Sequence, residues 1–491
     1  MDSRPRRGGG ERSGRSRPAG AGRGRQRSGE DEGAGSDRRP AGRGKPRSGA
    51  SRGGRPEGRR AAGGDSRGGE TRGGQPRSGR GRGDQSRGGQ DRGGQGRGGS
   101  SGGGTRSYNR PVRRAIRTPW LRWAREVIER CEEGMPADKV LRDVFRESRD
   151  LDPAYRGEVA EAVFRYFRWL GWLPEEGGNI EARLNQAREL AERFEKTPQT
   201  FSDAELRARS VPAWVWRQLK PDAGWCKVLQ APPTLWLRAR RGQRGALAAE
   251  LGDCVPGPEG LPDALAYTGK EDLFRTAAFM EGRVDIQDLS SQAVGLMCGV
   301  KPGQHWWDVC AGEGGKSVHL ASMMGGRGVL WATDKAAWRL ARLKTRAARA
   351  GIFNYQSAVW QSGDPVPFKV QMDGVLVDAP CSGLGTWQRN PHSRWTLRPE
   401  EVEELGVLQE KLLLEAAAKV KRGGRLVYSV CTLTLRETSE VVRAFEQGQP
   451  DFEPMDVQHP LEAARIGSRH WLKPWEEGGN GMFVAVWRRR A

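Results

Sequence analysis

Two cysteines, each set just past a short apolar run, constrain this chain more than anything else in its sequence. Cys381 follows Gly374-Val375-Leu376-Val377 and then Asp378-Ala379-Pro380; Cys431 follows Arg425-Leu426-Val427 and then Tyr428-Ser429-Val430. Apolar runs of that length, bounded by Gly, Asp or Pro, predict buried parallel strands. In an open α/β sheet, chemistry collects in the crevice outside the carboxyl ends of the strands. Cys381, Cys431 and Asp378 are therefore expected to share one crevice.

The chain around them has 491 residues, enough for two or three domains, and a net charge of +22. Most of that excess falls in the first hundred residues, so the expected partner is a polyanion met chiefly by the tail. The seven cysteines are scattered and include no C-x-x-C pair, which predicts neither a disulfide framework nor a metal site. A reducing cytoplasm is the expected compartment. No apolar stretch approaches a membrane span, and the N-terminus lacks a signal-peptide core.

Residues 1–107 are Gly, Arg and Ser with recurring Arg-Gly-Gly. Up to about residue 105 they contain no Val, Ile, Leu, Phe, Trp or Tyr. Nothing there offsets ordering entropy, so a disordered tail with loose, salt-sensitive RNA affinity is expected. Residues 118–205 change to helix periods: Trp120, Trp123, Ala124, Val127 and Ile128 share one face, and Val159, Val163, Phe164, Phe167 and Leu170 share another. This predicts an all-helical domain, with its aromatics in the core and Arg165 and Arg168 on a solvated face. Residues 206–283 predict a small α+β subdomain: Pro232 to Arg240 alternates like a strand, and a helix follows from Gln243 to Leu251. Its Arg238–Arg244 cluster is the strongest basic patch of the folded part. Residues 284–491 form the expected catalytic domain.

Within that domain, Trp306-Trp307-Asp308-Val309 leads into the turn Cys310-Ala311-Gly312-Glu313-Gly314-Gly315-Lys316 and then a helix. Glycines let backbone approach a ligand, and the helix start offers free N–H groups. The turn is neither G-x-G-x-x-G nor a P-loop, whose first glycine would fall at Cys310. A second strand, Val329 to Thr333, ends in Asp334, where a carboxylate suits a ribose. Together these predict an α/β, Rossmann-like domain for a nucleoside cofactor.

With Asp378-Ala379-Pro380-Cys381-Ser382-Gly383 and Tyr428-Ser429-Val430-Cys431-Thr432 added, the chain resembles the Nol/Nop/Sun family of RNA cytosine-5 methyltransferases. It is most similar to the bacterial Sun-type enzymes of 16S ribosomal RNA, which carry a NusB-like helical domain first. Val284 to Gln292, Arg389-Asn390-Pro391 and Lys421 to Arg425 extend the resemblance. It implies S-adenosylmethionine as cofactor, RNA as partner, no membrane, and a monomer. It further implies cofactor contacts from Cys310, Ala311, Gly312, Glu313, Gly314, Gly315, Lys316, Asp334 and Asp378. Gln361 is the first choice for the adenine contact, with Asp364 the alternative. Cys431 is the implied nucleophile, Cys381 the residue that assists product release, Asp378 the acid at the base, and Lys316 the cation that lowers the thiol pKa. Phosphate contacts are expected at Arg389, Arg394 and the Arg238–Arg244 cluster, with His392 on the RNA side or the surface. Glu313 stands where the family has proline, placing a negative charge near the cofactor carboxylate. That departure keeps a rival reading open, an RNA-binding assembly factor of the same fold with weak or no activity. An amino-group methyltransferase ranks third, because the chain has Asp378-Ala379-Pro380-Cys381 where Asn-Pro-Pro-Tyr would stand.

Overall fold

The computed structural model describes residues 120–491 apart from 175–178 and 221. The Arg/Gly-rich tail, and the disorder expected of it, lie outside the described residues. The helical periods form helices at Leu121–Glu132, Ala137–Glu147, Arg156–Trp169, Ile180–Lys196 and Asp203–Arg209. Asn179 and Ser202 cap two of them by accepting the N–H groups of Ala182 and Glu205. Trp123, Ala124, Val127 and Ile128 face inward against Val159, Val163 and Phe167. Trp169 is fully buried, with Trp172 and Phe194 edge-on and Phe201 tilted against it.

Arg168 is not on a solvated face: it is buried beside that aromatic core. His392, expected near the surface, is also buried, edge-on to Phe167 at 4.6 Å between ring centroids. The segment around His392 packs onto the end of this helix, with Trp395 Nε1 donating to the Phe167 carbonyl at 2.7 Å and Arg394 to that of Arg168 at 3.3 Å.

Strands β1 (Leu235–Ala239), β2 (Cys254–Pro256), β3 (Ala264–Tyr267) and β4 (Val284–Ile286) make a small antiparallel sheet in the order β2-β3-β1-β4. β4, placed by the sequence at the head of the catalytic domain, is the edge strand of this sheet. The segment before β1 belongs elsewhere: Trp225, in the helix Ala223–Gln230, stacks on Trp387 with centroids 6.2 Å apart. Arg238 does not present its charge to a ligand. It is buried, donating to Gln287 and, at 3.4 Å, to Asp285, which also receives Arg346 and Arg349 at 3.0 Å. Arg240 and Arg241 of the same cluster are exposed.

The main sheet contains β5 (His305–Asp308), β6 (Val329–Asp334), β7 (Tyr355–Val359), β8 (Met372–Asp378), β9 (Val420–Val430), β10 (Phe452–Pro454), β13 (Arg469–Leu472) and β14 (Met482–Arg489). A separate two-stranded ribbon joins β11 (Val457–Gln458) to β12 (Ile466–Gly467). The order is β10-β14-β9-β8-β5-β6-β7, with β13 on β14. Strands β5 to β9 are mutually parallel, and β14 returns antiparallel beside β9. Trp306, Trp307, Val375, Leu376, Val377, Leu426 and Val427 are buried, as expected of strands covered on both faces. The chain leaves β5 toward β6 on one side and later returns to β8 on the other. The crevice at this switch point lies between the ends of β5, β6, β8 and β9.

Candidate active site

Each of those four strand ends carries a polar or sulfur-bearing side chain: Asp308, Asp334, Asp378, and Ser429 with Cys431. Asp308 is buried under the turn, where Ser317 donates to it at 2.6 Å, and burial raises its pKa to about 7. Asp334 is buried with one oxygen on the N–H of Gly312 at 3.0 Å and the other on the N–H of Ala336 at 2.8 Å. Its carboxylate thus locks the Gly-rich turn to the end of β6. Asp378 accepts from Lys316 Nζ at 2.9 Å and from Ser429 Oγ at 2.7 Å. That bond ties the turn to β8, and the serine ties β8 to β9.

The two cysteines meet. Cys381 Sγ lies 3.2 Å from Cys431 Sγ, a thiol-to-sulfur hydrogen bond between side chains fifty positions apart. The Cys431 pKa is lowered, first by that hydrogen bond and further by the positive charges of Lys316 and Arg389, against burial and Asp378. The Cys381 pKa is pushed well up by its bond to Cys431, by burial and by the negative charge of Glu437. The opposite directions make Cys431 the more acidic sulfur of the pair. The sequence reading gave the whole lowering to Lys316; the larger contribution comes from Cys381. Burial and the surrounding aspartates push the Cys310 thiol well up, consistent with packing.

A cavity of about 520 Å³ opens over these groups. Cys310, Ala311, Gly312, Asp334, Gln361, Asp378, Cys381 and Cys431 line it. Glu313, Gly314, Gly315 and Lys316 do not: the first two close the turn and the last two open the helix Gly315–Met323. Gly314 has φ +85°, and a Cβ there would sit 2.6 Å from Leu343, so this position admits only glycine. Glu313 points outward to Arg342 on the next helix. Its charge is matched there instead of facing the cavity. Of the two adenine-side alternatives, Gln361 lines the cavity, while Asp364 offers its backbone carbonyl to Trp360 Nε1 at 3.0 Å.

Several cavity-lining residues were not singled out in the sequence reading. Leu408, Lys411 and Leu412 reach the cavity from one face of the helix Pro399–Ala417, a face that the 3.6 period would have revealed. Lys335 and Arg339 bring positive charge to the Asp334 end. Arg394 is no phosphate ligand: it is fully buried and donates to four backbone carbonyls. Arg389 is exposed beside the cysteines.

A family model for the 16S rRNA methyltransferase RsmB/F matches residues 296–488. The chain is 36% identical over 257 residues to a Synechocystis protein designated probable ribosomal RNA small subunit methyltransferase B, covering 51% of this chain and 57% of that one. A Bacillus subtilis protein of the same designation is 35% identical over 300 residues, covering 57% of this chain and 67% of its own length. The Salmonella typhi ribosomal RNA small subunit methyltransferase B is 29% identical, with 65% of its length covered. The match thus spans between about half and two thirds of these relatives. The crystal structure of PH0851 shares the fold, with a TM-score of 0.62 at 21% identity, covering 75% of this chain and 98% of that one. Among the described residues, no helix is long and apolar enough to cross a membrane. The chain belongs to the 16S rRNA methyltransferase RsmB/F family.

Proposed function

We propose that this chain methylates carbon 5 of a cytosine in RNA, within small-subunit ribosomal RNA, using S-adenosylmethionine. The observation that carries this reading is the Cys381–Cys431 contact at 3.2 Å beside the Lys316–Asp378 pair. Carbon 5 of cytosine is too weak a nucleophile to take a methyl group unaided, and a thiolate added at carbon 6 makes it an enamine carbon.

The cavity fits the proposed cofactor on this chain's own geometry. Gly312 leaves open space where a side chain would project, so a ligand can lie directly on the turn. Asp334 would hold the ribose hydroxyls, Gln361 the adenine, and Cys310 to Gly312 the amino-acid portion. When bound, the cofactor supplies an electrophilic methyl group on a sulfonium sulfur. Glu313, committed to Arg342, leaves that site unopposed, which favours the enzyme over the inactive assembly factor.

Cys431 would add to carbon 6, forming a C–S bond while the ring's double-bond electrons move toward carbon 5 and nitrogen 3. Lys316, held by Asp378, would stabilise the negative charge that develops at ring nitrogen 3, and the Asp378 carboxylate would accept from the exocyclic amino group on carbon 4. Once carbon 5 carries the methyl group, its proton would pass to water, the C–H electrons re-forming the carbon 5–carbon 6 double bond as the C–S bond breaks and the Cys431 thiolate leaves. Cys381, holding a proton beside Cys431, would assist that release. Both ring carbons are reachable only on an unstacked base, so single-stranded or opened RNA is the expected substrate, with exposed Arg389 placed for a phosphate.

The test is nucleoside mass spectrometry of unmodified small-subunit ribosomal RNA incubated with the protein and methyl-labelled cofactor. Label in 5-methylcytidine is expected. Label on an amino group would refute the carbon 5 assignment, and cofactor binding without label in ribosomal or transfer RNA would refute the substrate.

A further inference from the structure

We propose that Glu437 is a positioning residue that holds both cysteine loops in register and decides which sulfur of the pair carries the charge. This rests on the reading of Cys431 as nucleophile.

Glu437 is fully buried, in a short π-helical turn at Arg436–Glu440 just after β9. Its carboxylate faces no cation at hydrogen-bond distance among the described residues; four donors surround it. One oxygen accepts the N–H of Ser382 at 2.8 Å and Gln409 Nε2 at 3.0 Å. The other accepts the hydroxyls of Ser382 and Thr434. Gln409 also donates to the carbonyl of Pro380 at 2.9 Å, and Tyr428 OH bonds to Gln409 and to the Glu437 carbonyl. The residues on either side of Cys381 are thus both anchored through this carboxylate. Ser382 Oγ further lies 2.9 Å from Thr432 Oγ, next to Cys431, so one hydroxyl joins the two cysteine loops.

Closure of the helix start explains only part of this arrangement. Thr434 accepts the N–H of Glu437, as a helix-start threonine does, but such a turn has no need of Ser382 or Gln409. The reach across to the Cys381 loop is the part that capping leaves unexplained.

The charges around the pair are asymmetric. Lys316, Arg389, Asp378 and Asp308 stand on the Cys431 and turn side, whereas Glu437 stands on the Cys381 side, with Arg436 and Glu410 beyond Tyr428. A buried negative charge beside Cys381 disfavours its thiolate and keeps its proton available to Cys431. Its loss would remove a charge that adds to the separation made first by the hydrogen bond and by burial, and would free the Cys381 loop that sets their geometry.

The test uses the full chain and two readouts. Pulse alkylation with iodoacetamide across about pH 6 to 9, mapped by peptide mass spectrometry, reads which sulfur is the thiolate. In the unaltered protein Cys431 is expected to react roughly ten times faster than Cys381, and Glu437→Gln is expected to bring that ratio within about threefold. In methyl-transfer assays Glu437→Gln is expected to lower kcat by about tenfold or more with KM for the cofactor little changed, because the shift falls at the sulfur end of the cavity and not at the Gly312 and Asp334 end. Ser382→Ala keeps the carboxylate but cuts the bridge. It should lower kcat while retaining the alkylation preference, and it decides the question if Glu437→Gln does not fold. A folded Glu437→Gln protein with normal ratio and kcat, or a fully active Ser382→Ala, overturns the inference. Equal reactivity of the two cysteines before any substitution would instead overturn Cys431 as nucleophile.

Discussion

Replacing Cys431 by alanine is expected to lower methyl transfer at least about 10³-fold, equivalent to about 4 kcal/mol of barrier, while cofactor affinity stays within about twofold. The separation follows from where the groups sit. Asp334 and the Gly312 turn, locked together at 3.0 Å, lie at the β5 and β6 ends, whereas the sulfur lies beyond β9. Alanine there removes the group proposed to add to carbon 6 and leaves the Asp334 and Gly312 contacts in place. Single-turnover transfer and equilibrium cofactor binding, measured on the same preparation, check both halves. The lowered Cys431 pKa also fixes a sign. The thiolate is the working form, so the acid limb of the rate profile should lie below the ordinary thiol range and activity should persist to lower pH. Alanine retaining a tenth of the activity would mean that carbon 5 is activated some other way.

The largest stability effect is expected at Arg394. Its guanidinium donates to the carbonyls of Arg168 at 3.3 Å, Ser210 at 2.9 Å, Leu229 at 3.0 Å and Trp387 at 3.3 Å. Arg168 and Leu229 lie in helices, Ser210 just past the end of another, and Trp387 in the loop that leads on from Cys381, so one side chain joins the helical segments to that loop. Burial pushes its pKa down to about 9, which still leaves it charged at neutral pH. Arg394→Ala strands buried carbonyls, and a cost on the order of 3–5 kcal/mol is expected. Arg394→Lys should recover little, because a single ammonium cannot span the four acceptors that a planar fork reaches. Denaturant unfolding of the two variants checks this, and near-native stability of Arg394→Lys would contradict it. Loss of this anchor should also disturb the Cys381 loop, since Trp387 stacks on Trp225 within the same junction.

What the sequence showed and what it hid divide along physical lines. The strand ends were legible because a buried parallel strand is a continuous apolar run, and such a run stops where its chemistry begins. Cys381, Cys431, Asp334 and Asp378 were all found that way, and the structure brings them to one cavity. Arg394, Arg168 and Arg238 were misplaced for the opposite reason. Arginine in sequence reads as exposed, and only the folded chain shows four carbonyls converging on Arg394, a shared aspartate on Arg238, and Arg168 buried beside the aromatic core. Glu437 was invisible because Arg436-Glu437-Thr438-Ser439-Glu440 reads as a solvated helix start; its burial depends on the Cys381 loop fifty residues earlier. The pairing of β4 with β1 was not legible because three residues carry no period and their partner is a long-range choice. The charge at Glu313 looked like a threat to cofactor binding until its partner Arg342, on the following helix, was placed.

The central claim is a covalent bond between Cys431 and the target base, released with help from Cys381. It is tested most directly by incubating Cys381→Ala with RNA and cofactor and resolving the mixture under denaturing conditions. A protein–RNA adduct is predicted, mapping to Cys431 by peptide mass spectrometry and absent from the Cys381→Ala, Cys431→Ala double variant. Free 5-methylcytidine in RNA produced by Cys381→Ala at the normal rate, with no adduct, would contradict the account.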